Sequence, residues 1–322
     1  MKRCNYFFFC FLILFTFKQY AQCVPSKEEN IDFIATFGKD ASGSWGDDDH
    51  VQTYFFSVQK SNKKPFYIRV FDPDCGGKND QKNNQFNTST FFGIYGGKGC
   101  YTNKDARNIN PIGNYKSGLL LKSKVFKDEK EYDNNWYSFG PFNPDEGEFD
   151  KDLDAYVFKI IIEGKQGDDG NMYRFYFSQQ ADKNNAIEGG SAFAYEVCFR
   201  LMNTSKETAH FYPFVDSKVV SITQHNFDFD NDGEVMLTTL IKKLHKQDKS
   251  NNNEWQSTKN ILQKEELNTS LDLQFIKQAS STNDATFYIA NQYGEALPMF
   301  SSPIGGLPRY KYKIDIELQY DK

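Results

Sequence analysis

Histidine is scarce in this 322-residue chain: His50, His210, His225 and His245 are all there is. A mechanism built on imidazole would have to draw on that small pool. The sequence has no H-E-x-x-H, G-x-S-x-G or C-x-x-C pattern and no glycine-rich phosphate loop, so the usual zinc-hydrolase, serine-hydrolase, thiol-redox and nucleotide signatures are missing. Basic charge is short as well, with 38 Lys and Arg against 43 Asp and Glu. Nucleic acid requires a basic face that displaces counterions, so it is excluded as the expected partner. Past residue 17 no run approaches the ~20 apolar residues of a membrane helix, and no transmembrane segment is expected.

What is present begins with a leader. Lys2 and Arg3 precede an apolar run from Tyr6 to Phe17, and the small residue Ala21 precedes Gln22. That order is a secretory signal peptide over residues 1–22, with cleavage expected after Ala21 or Gln22. The mature chain is then an exported protein, periplasmic, cell-surface or extracellular. A lipid anchor on Cys23 is the alternative, although Tyr20-Ala21-Gln22 lacks the small residue that normally precedes a lipidated cysteine. Cys4 and Cys10 leave with the leader, while Cys23, Cys75, Cys100 and Cys198 remain. An even set in an exported chain reads as disulfides, and Cys75–Cys100 is the expected bridge because both flank glycine-rich turns. Buried free thiols are the other reading.

The 31 Phe and 19 Tyr favour pleated, half-buried surfaces. Runs of strand character, bounded by Gly, Pro, Asn, Asp or Ser, recur at 31–37, 52–58, 66–71, 90–95, 156–163, 172–177 and 192–201. Others follow at 211–215, 219–225, 234–239, 271–276, 285–290 and 311–319. Leu240 to His245 and Asn260 to Leu267 are weakly helical, and polar segments at 78–89, 122–135 and 246–253 read as loops. The fold class is therefore all-β: two antiparallel β-sandwich, jelly-roll-like domains after a cleaved leader. The polar stretch 203–209 divides them into 23–204 and 205–322. Phe71-Asp72-Pro73-Asp74 and Phe227-Asp228-Phe229-Asp230 echo one another after a strand, as duplication or chance would both allow.

The sharpest candidate site is Asp228-Phe-Asp230-Asn-Asp232-Gly233-Glu234. Alternating carboxylates in a tight turn can aim several oxygens at one hard cation such as calcium, and the glycine permits the bend. The pattern is similar to the first half of an EF-hand loop, but Thr239 stands at its twelfth position and strands flank it. An acidic turn without metal is the plain alternative. A second acidic set joins Asp47, Asp48, Asp49 and His50 to Asp72, Asp74 and Asp80, provided that their strands pair. Gly167 to Asn171 reads as a hairpin turn. Trp45, Trp136 and Trp255 lie by polar loops, where a ring can stack on sugar, grip a peptide or cover a core edge.

From Asp49 to Tyr95 the order acid, strand, Lys/Asn-rich turn, strand, acidic loop, strand, Gly-Gly resembles the calcium-binding jelly-roll domains that follow the catalytic part of secreted bacterial peptidases. The resemblance implies a calcium role for Asp49, Asp72 and Asp74. The leader's ending and the Asn/Lys-rich loops look like exported Bacteroidota proteins. The combined expectation is a calcium-stabilised binding or structural module for a protein or carbohydrate ligand. A secreted Asp/Glu-dependent hydrolase of polysaccharide or peptide and an envelope assembly component are the alternatives. Carboxylate pairs for glycoside hydrolysis leave no fixed sequence spacing, which keeps the hydrolase open.

Overall fold

The computed structural model describes residues 22–308. The leader, apart from Gln22, and the alternating run 311–319 lie outside the described residues. Sixteen principal strands follow one another. The first eight are β1 (Phe33–Phe37), β2 (Val51–Gln59), β3 (Phe66–Phe71), β4 (Ser89–Gly96), β5 (Leu119–Phe126), β6 (Trp136–Phe142), β7 (Ala155–Gln166) and β8 (Gly170–Ser178). The second eight are β9 (Glu196–Arg200), β10 (Thr208–Val215), β11 (Ser221–Phe227), β12 (Glu234–Thr238), β13 (His245–Gln247), β14 (Trp255–Ile261), β15 (Asp272–Ile276) and β16 (Asp284–Asn291). All pair antiparallel in two large sheets, so the all-β sandwich expectation holds.

Strand order shows a repeat that composition could not. Sheet one runs β14-β11-β16-β9-β1-β8-β3-β6, and sheet two runs β13-β12-β15-β10, then Met299–Phe300 and Ser191–Ala194, then β2-β7-β4-β5. The first eight strands therefore divide as 1-8-3-6 and 2-7-4-5, which is jelly-roll order, and adding eight to each number gives the second set. Both sheets carry strands from before and after the 203–209 stretch. Counted by strand order, the second unit opens at β9, ahead of that stretch. The units join edge to edge, with Phe199 opposite Ile34 and Arg200 opposite Phe33. In sheet two the proline- and glycine-rich tail closes the gap, because Phe300 pairs with both Phe193 and Tyr212.

Aromatic rings fill the space between the sheets. Phe56 of β2 stacks on Phe177 of β8 with centroids 3.8 Å apart, and Phe199 meets Phe211 at 4.6 Å in the second unit. These rings belong to one buried cluster that extends through both units. The central β7 is buried on both faces from Val157 to Ile162. Its Lys159 is tolerated there because its ammonium donates to the Tyr115 and Ser117 carbonyls, while burial pulls its pKa down to about 8.

The expected Cys75–Cys100 bridge is not formed: Cys23, Cys75, Cys100 and Cys198 are all free thiols. Cys100 packs with Tyr95 and Ile161 and donates to the Val157 carbonyl, whereas Cys75 sits in the loop after β3. Burial raises both thiols well clear of neutrality, which leaves them as small apolar fillers. Thiol-reactive dye should accordingly label Cys75, Cys100 and Cys198 only after unfolding, and a reductant should not move the melting temperature. Rapid labelling of all three in native protein would contradict this packing.

Glu29, ahead of β1, gives the fold a pH dependence of defined sign. It lines a small cavity with Val24, Ile31, Ile34 and Tyr54, and burial pushes its carboxyl up to about 8, although the Ser26 amide donates to it. A carboxyl with a raised folded pKa binds its proton more tightly when folded. Its contribution is complete below the ordinary glutamate pKa and is lost as pH rises through about 8. Melting temperature should fall between pH 5 and 8.5, and Glu29→Gln should flatten that slope. An unchanged slope in the variant would remove Glu29 as its source.

Candidate functional site

Two equivalent corners, one per unit, explain the F-D-x-D echo. Phe71 ends β3 and Phe227 ends β11; each faces a tryptophan that opens the neighbouring strand, Trp136 at 5.4 Å and Trp255 at 5.2 Å between ring centroids. The next residues, Asp72 and Asp228, take left-handed backbone angles (φ 57° and 55°), which aspartate tolerates because its short carboxylate bonds locally. Asp72 accepts the amide of Asn134 at 2.7 Å, and Asp228 accepts that of Asn253. Both asparagines are themselves left-handed, at 54° and 51°. The shared signature is Phe-Asp on one strand and Asn-x-Trp on its partner.

Between the units lies a cleft of about 340 Å³. Its lining comes from Ser44 and Trp45 of the loop after β1, Lys78 to Gln81 of the loop after β3, and Arg200 at the end of β9. Asp228, Asp230 and Thr282 to Asp284 complete it from the second unit. Arg200 is the tie. Its Nε and Nη2 donate to Asp284 at 2.8 and 2.6 Å, Nη1 to the Asn79 carbonyl at 2.8 Å, and Nη2 to Gln81 Oε1 at 2.9 Å. Burial nevertheless dominates at Asp284, whose pKa stays above the ordinary range despite Arg200. Asp80 is fixed from the opposite side, accepting the Met172 and Gly76 amides, each at 2.7 Å.

The calcium candidates fall into separate places. In the Asp228–Glu234 turn the carboxylates do not gather into one metal-holding group among the described residues. Asp228 and Asp230 line the junction cleft, and burial raises Asp228 to about 6. Asp232 turns to Lys277 at 3.0 Å and to the Gln278 and Ala279 amides at 3.0 and 2.6 Å. Burial pushes Asp232 up, but the Ala279 amide and Lys277 outweigh it and hold the carboxyl below its usual value. Glu234 pairs with Lys246 on β13. Gly233, at φ 103°, must be glycine, because a side chain would collide with the Ile276 carbonyl. Asp72 and Asp74 share the loop after β3, where burial raises Asp74 to about 7.

Asp49 keeps different company. Its electrostatic neighbours are Asp47 and Asp48, and Asp47 and Asp49 together act on Glu196 of β9. Burial, then mutual repulsion, raises Asp49 and Glu196 well above the carboxylate range, and burial brings Asp47 to about 7. Among the described residues, no three or more His, Cys, Asp or Glu side chains already converge on one point as a metal group. Sequence reading missed Arg200, Asp284 and Glu196, since none lies in an acidic run. It also read 167–171 as a turn alone, whereas Asp169 there accepts the amides of Asn83, Asn87 and Thr88.

Fold and cleft together define a tandem jelly-roll protein with a polar pocket at the junction of its units. Set against known protein families the chain matches no family model, and no curated protein matches it.

Proposed function

We propose that this chain is an exported, non-catalytic binding module that takes a polyhydroxylated ligand, a carbohydrate segment, in the junction cleft, and that calcium stabilises it. The observation that carries the reading is the lining of the cleft. Carboxylates, side-chain amides, hydroxyls and one guanidinium surround an open space beside the Trp45 ring. Such groups form paired hydrogen bonds with sugar hydroxyls, and an indole offers a stacking face. Asp230→Asn, which keeps a residue tolerant of its left-handed backbone (φ 54°), should weaken binding about tenfold, the loss of a charge-assisted hydrogen bond worth about 1.5 kcal/mol. Calorimetry with a panel of envelope polysaccharides checks it. Failure of every glycan to bind wild type at millimolar concentration would end the carbohydrate reading.

One observation favours the hydrolase as a second reading. Asp47 and Asp49 both act electrostatically on Glu196, burial raises all three carboxyls, and a raised carboxyl is what a general acid requires. Turnover of a polysaccharide or peptide library that is abolished by Glu196→Gln would make the protein an enzyme.

Maturation belongs to the same proposal. The Gln22 side chain bonds both the amide and the carbonyl of Ile187, and the Gln22 carbonyl accepts the Phe177 amide at 3.0 Å. Cleavage after Ala21 preserves those contacts, so N-terminal sequencing of exported material should begin at Gln22. A lipid-modified Cys23 at the N-terminus would overturn a soluble exported form.

A further inference from the structure

We propose that the ligand of the junction cleft is a non-acidic oligosaccharide, which crosses Asp230 into a second hollow on the second unit and places its next sugar there. This rests on the carbohydrate reading of the cleft and adds a subsite and a ligand class to it. The second hollow, of about 490 Å³, lies between the Asp228–Glu234 turn and the loop that joins β15 to β16. Asp230 and Asn283 line both this hollow and the 340 Å³ cleft, so the two spaces share a wall. The β15–β16 loop continues that wall: Thr282 lines the cleft, and its neighbour Ser281 lines the hollow. Each space has the volume of a small-molecule pocket, so a ligand that fills both has more than one sugar unit.

The shared wall is held in place by its own hydrogen bonds. Asn283 is 5% exposed, and its Nδ2 donates to the Phe229 carbonyl at 3.2 Å and to Asp232 Oδ2 at 3.4 Å. Asp232 also accepts the Gln278 and Ala279 amides and pairs with Lys277, which ties the loop to the turn. Cleft and hollow are therefore formed before a ligand arrives, and little ordering is left to offset binding. Apart from Ala279, the side chains lining the hollow are carboxylate, amide and hydroxyl, groups that pair with sugar hydroxyls.

Charge sets the class of glycan. Five carboxylates line the two spaces, against Lys78 and Arg200. Arg200 is already bonded to Asp284 and Lys277 to Asp232, and among the described residues neither Asp228 nor Asp230 forms an ion pair. Asp230, where the ligand crosses, is exposed. Carboxylates accept from the hydroxyls of a neutral sugar or the amine of a hexosamine, whereas a uronate or sulfated sugar would meet like charge without a counter-ion.

Calorimetry of the full mature chain with cello-, manno- and chito-oligosaccharides, from monosaccharide to hexasaccharide, tests the assignment, with oligogalacturonate as the acidic probe. In the series that binds, affinity should rise at least tenfold from monosaccharide to tetrasaccharide, and oligogalacturonate should bind at least tenfold more weakly than the neutral tetrasaccharide. Ser281→Trp, at an exposed position, fills the hollow and should remove the gain with length at an unchanged melting temperature; Gln278→Trp, exposed in the same loop, should do the same. Asp230→Asn should weaken every length. If the gain with length is absent, or survives both tryptophan variants, the second subsite is overturned, while a loss of affinity in Asp230→Asn keeps the cleft reading. If oligogalacturonate binds as tightly as the neutral tetrasaccharide, the ligand class is overturned. If no glycan binds wild type at millimolar concentration, this inference and the carbohydrate reading fall together.

Discussion

Replacing Arg200 by alanine should destabilise the protein by about 3–5 kcal/mol, because Asp284 would be left buried without its partner. The pair is well inside, with side-chain exposures of 13% and 3% and a closest approach of 2.6 Å. Arg200 also holds the Asn79 carbonyl and Gln81, so the change should release the loop after β3 from the second unit. Arg200→Lys should recover little, since an ammonium cannot fork across both carboxylate oxygens. In a double-mutant cycle, Arg200→Ala/Asp284→Ala should be less damaging than the sum of the single changes. Urea unfolding reads all of these. A loss below about 1 kcal/mol for Arg200→Ala would show that the tie contributes nothing beyond an exposed ion pair.

Phe177→Ala should cost about as much, 3–5 kcal/mol, for a different reason. Phe177 is fully buried, stacks on Phe56 at 3.8 Å and touches Phe175, so truncation opens a cavity between the two sheets of the first unit. Leu119→Ala on the outer strand β5, where Leu119 is 64% exposed, should change stability by less than about 0.5 kcal/mol. Equal effects at the two positions would contradict the packing. The contrast also separates core from edge, and that is where sequence reading succeeded and where it stopped.

Twelve of the thirteen strand runs read from the sequence lie on strands of the structure, and the thirteenth, 311–319, falls outside the described residues. The strands that escaped are β5, β6, β13 and β14: the same two positions, fifth and sixth, in each unit. These strands form the outer ends of the two sheets. Such a strand has only one neighbour and much of its surface faces water, so apolar alternation is weak. The burial patterns of β5 and β14 are mostly exposed, at five of eight and five of seven positions. The segments 122–135 and 246–253 therefore read as polar loops, and 240–245 and 260–267 as weak helix, although β5, β13 and β14 run through parts of them. Pairing with an inner strand supplies order that the residues do not advertise.

Local chemistry was legible wherever it was local. Alternating aromatics declared the sandwich, and the Asp228–Gly233 turn was visible because aspartate, asparagine and glycine tolerate its left-handed angles (φ 54–103°). Residue spacing could not reveal that Asp232 is claimed by Lys277, 45 positions later, or that Asp49 belongs with Glu196 and not with Asp72 and Asp74. The Cys75–Cys100 pairing failed for the same reason: two glycine-rich turns beside one loop say nothing of which way their thiols point. The sequence by itself determined an all-β chain rich in acidic turns, because backbone period and turn propensity are properties of neighbouring residues. Tertiary structure alone decided that the two units share their sheets and that Arg200 binds them at one cleft. Each of those depends on long-range strand order, which brings together residues that no short window of sequence contains.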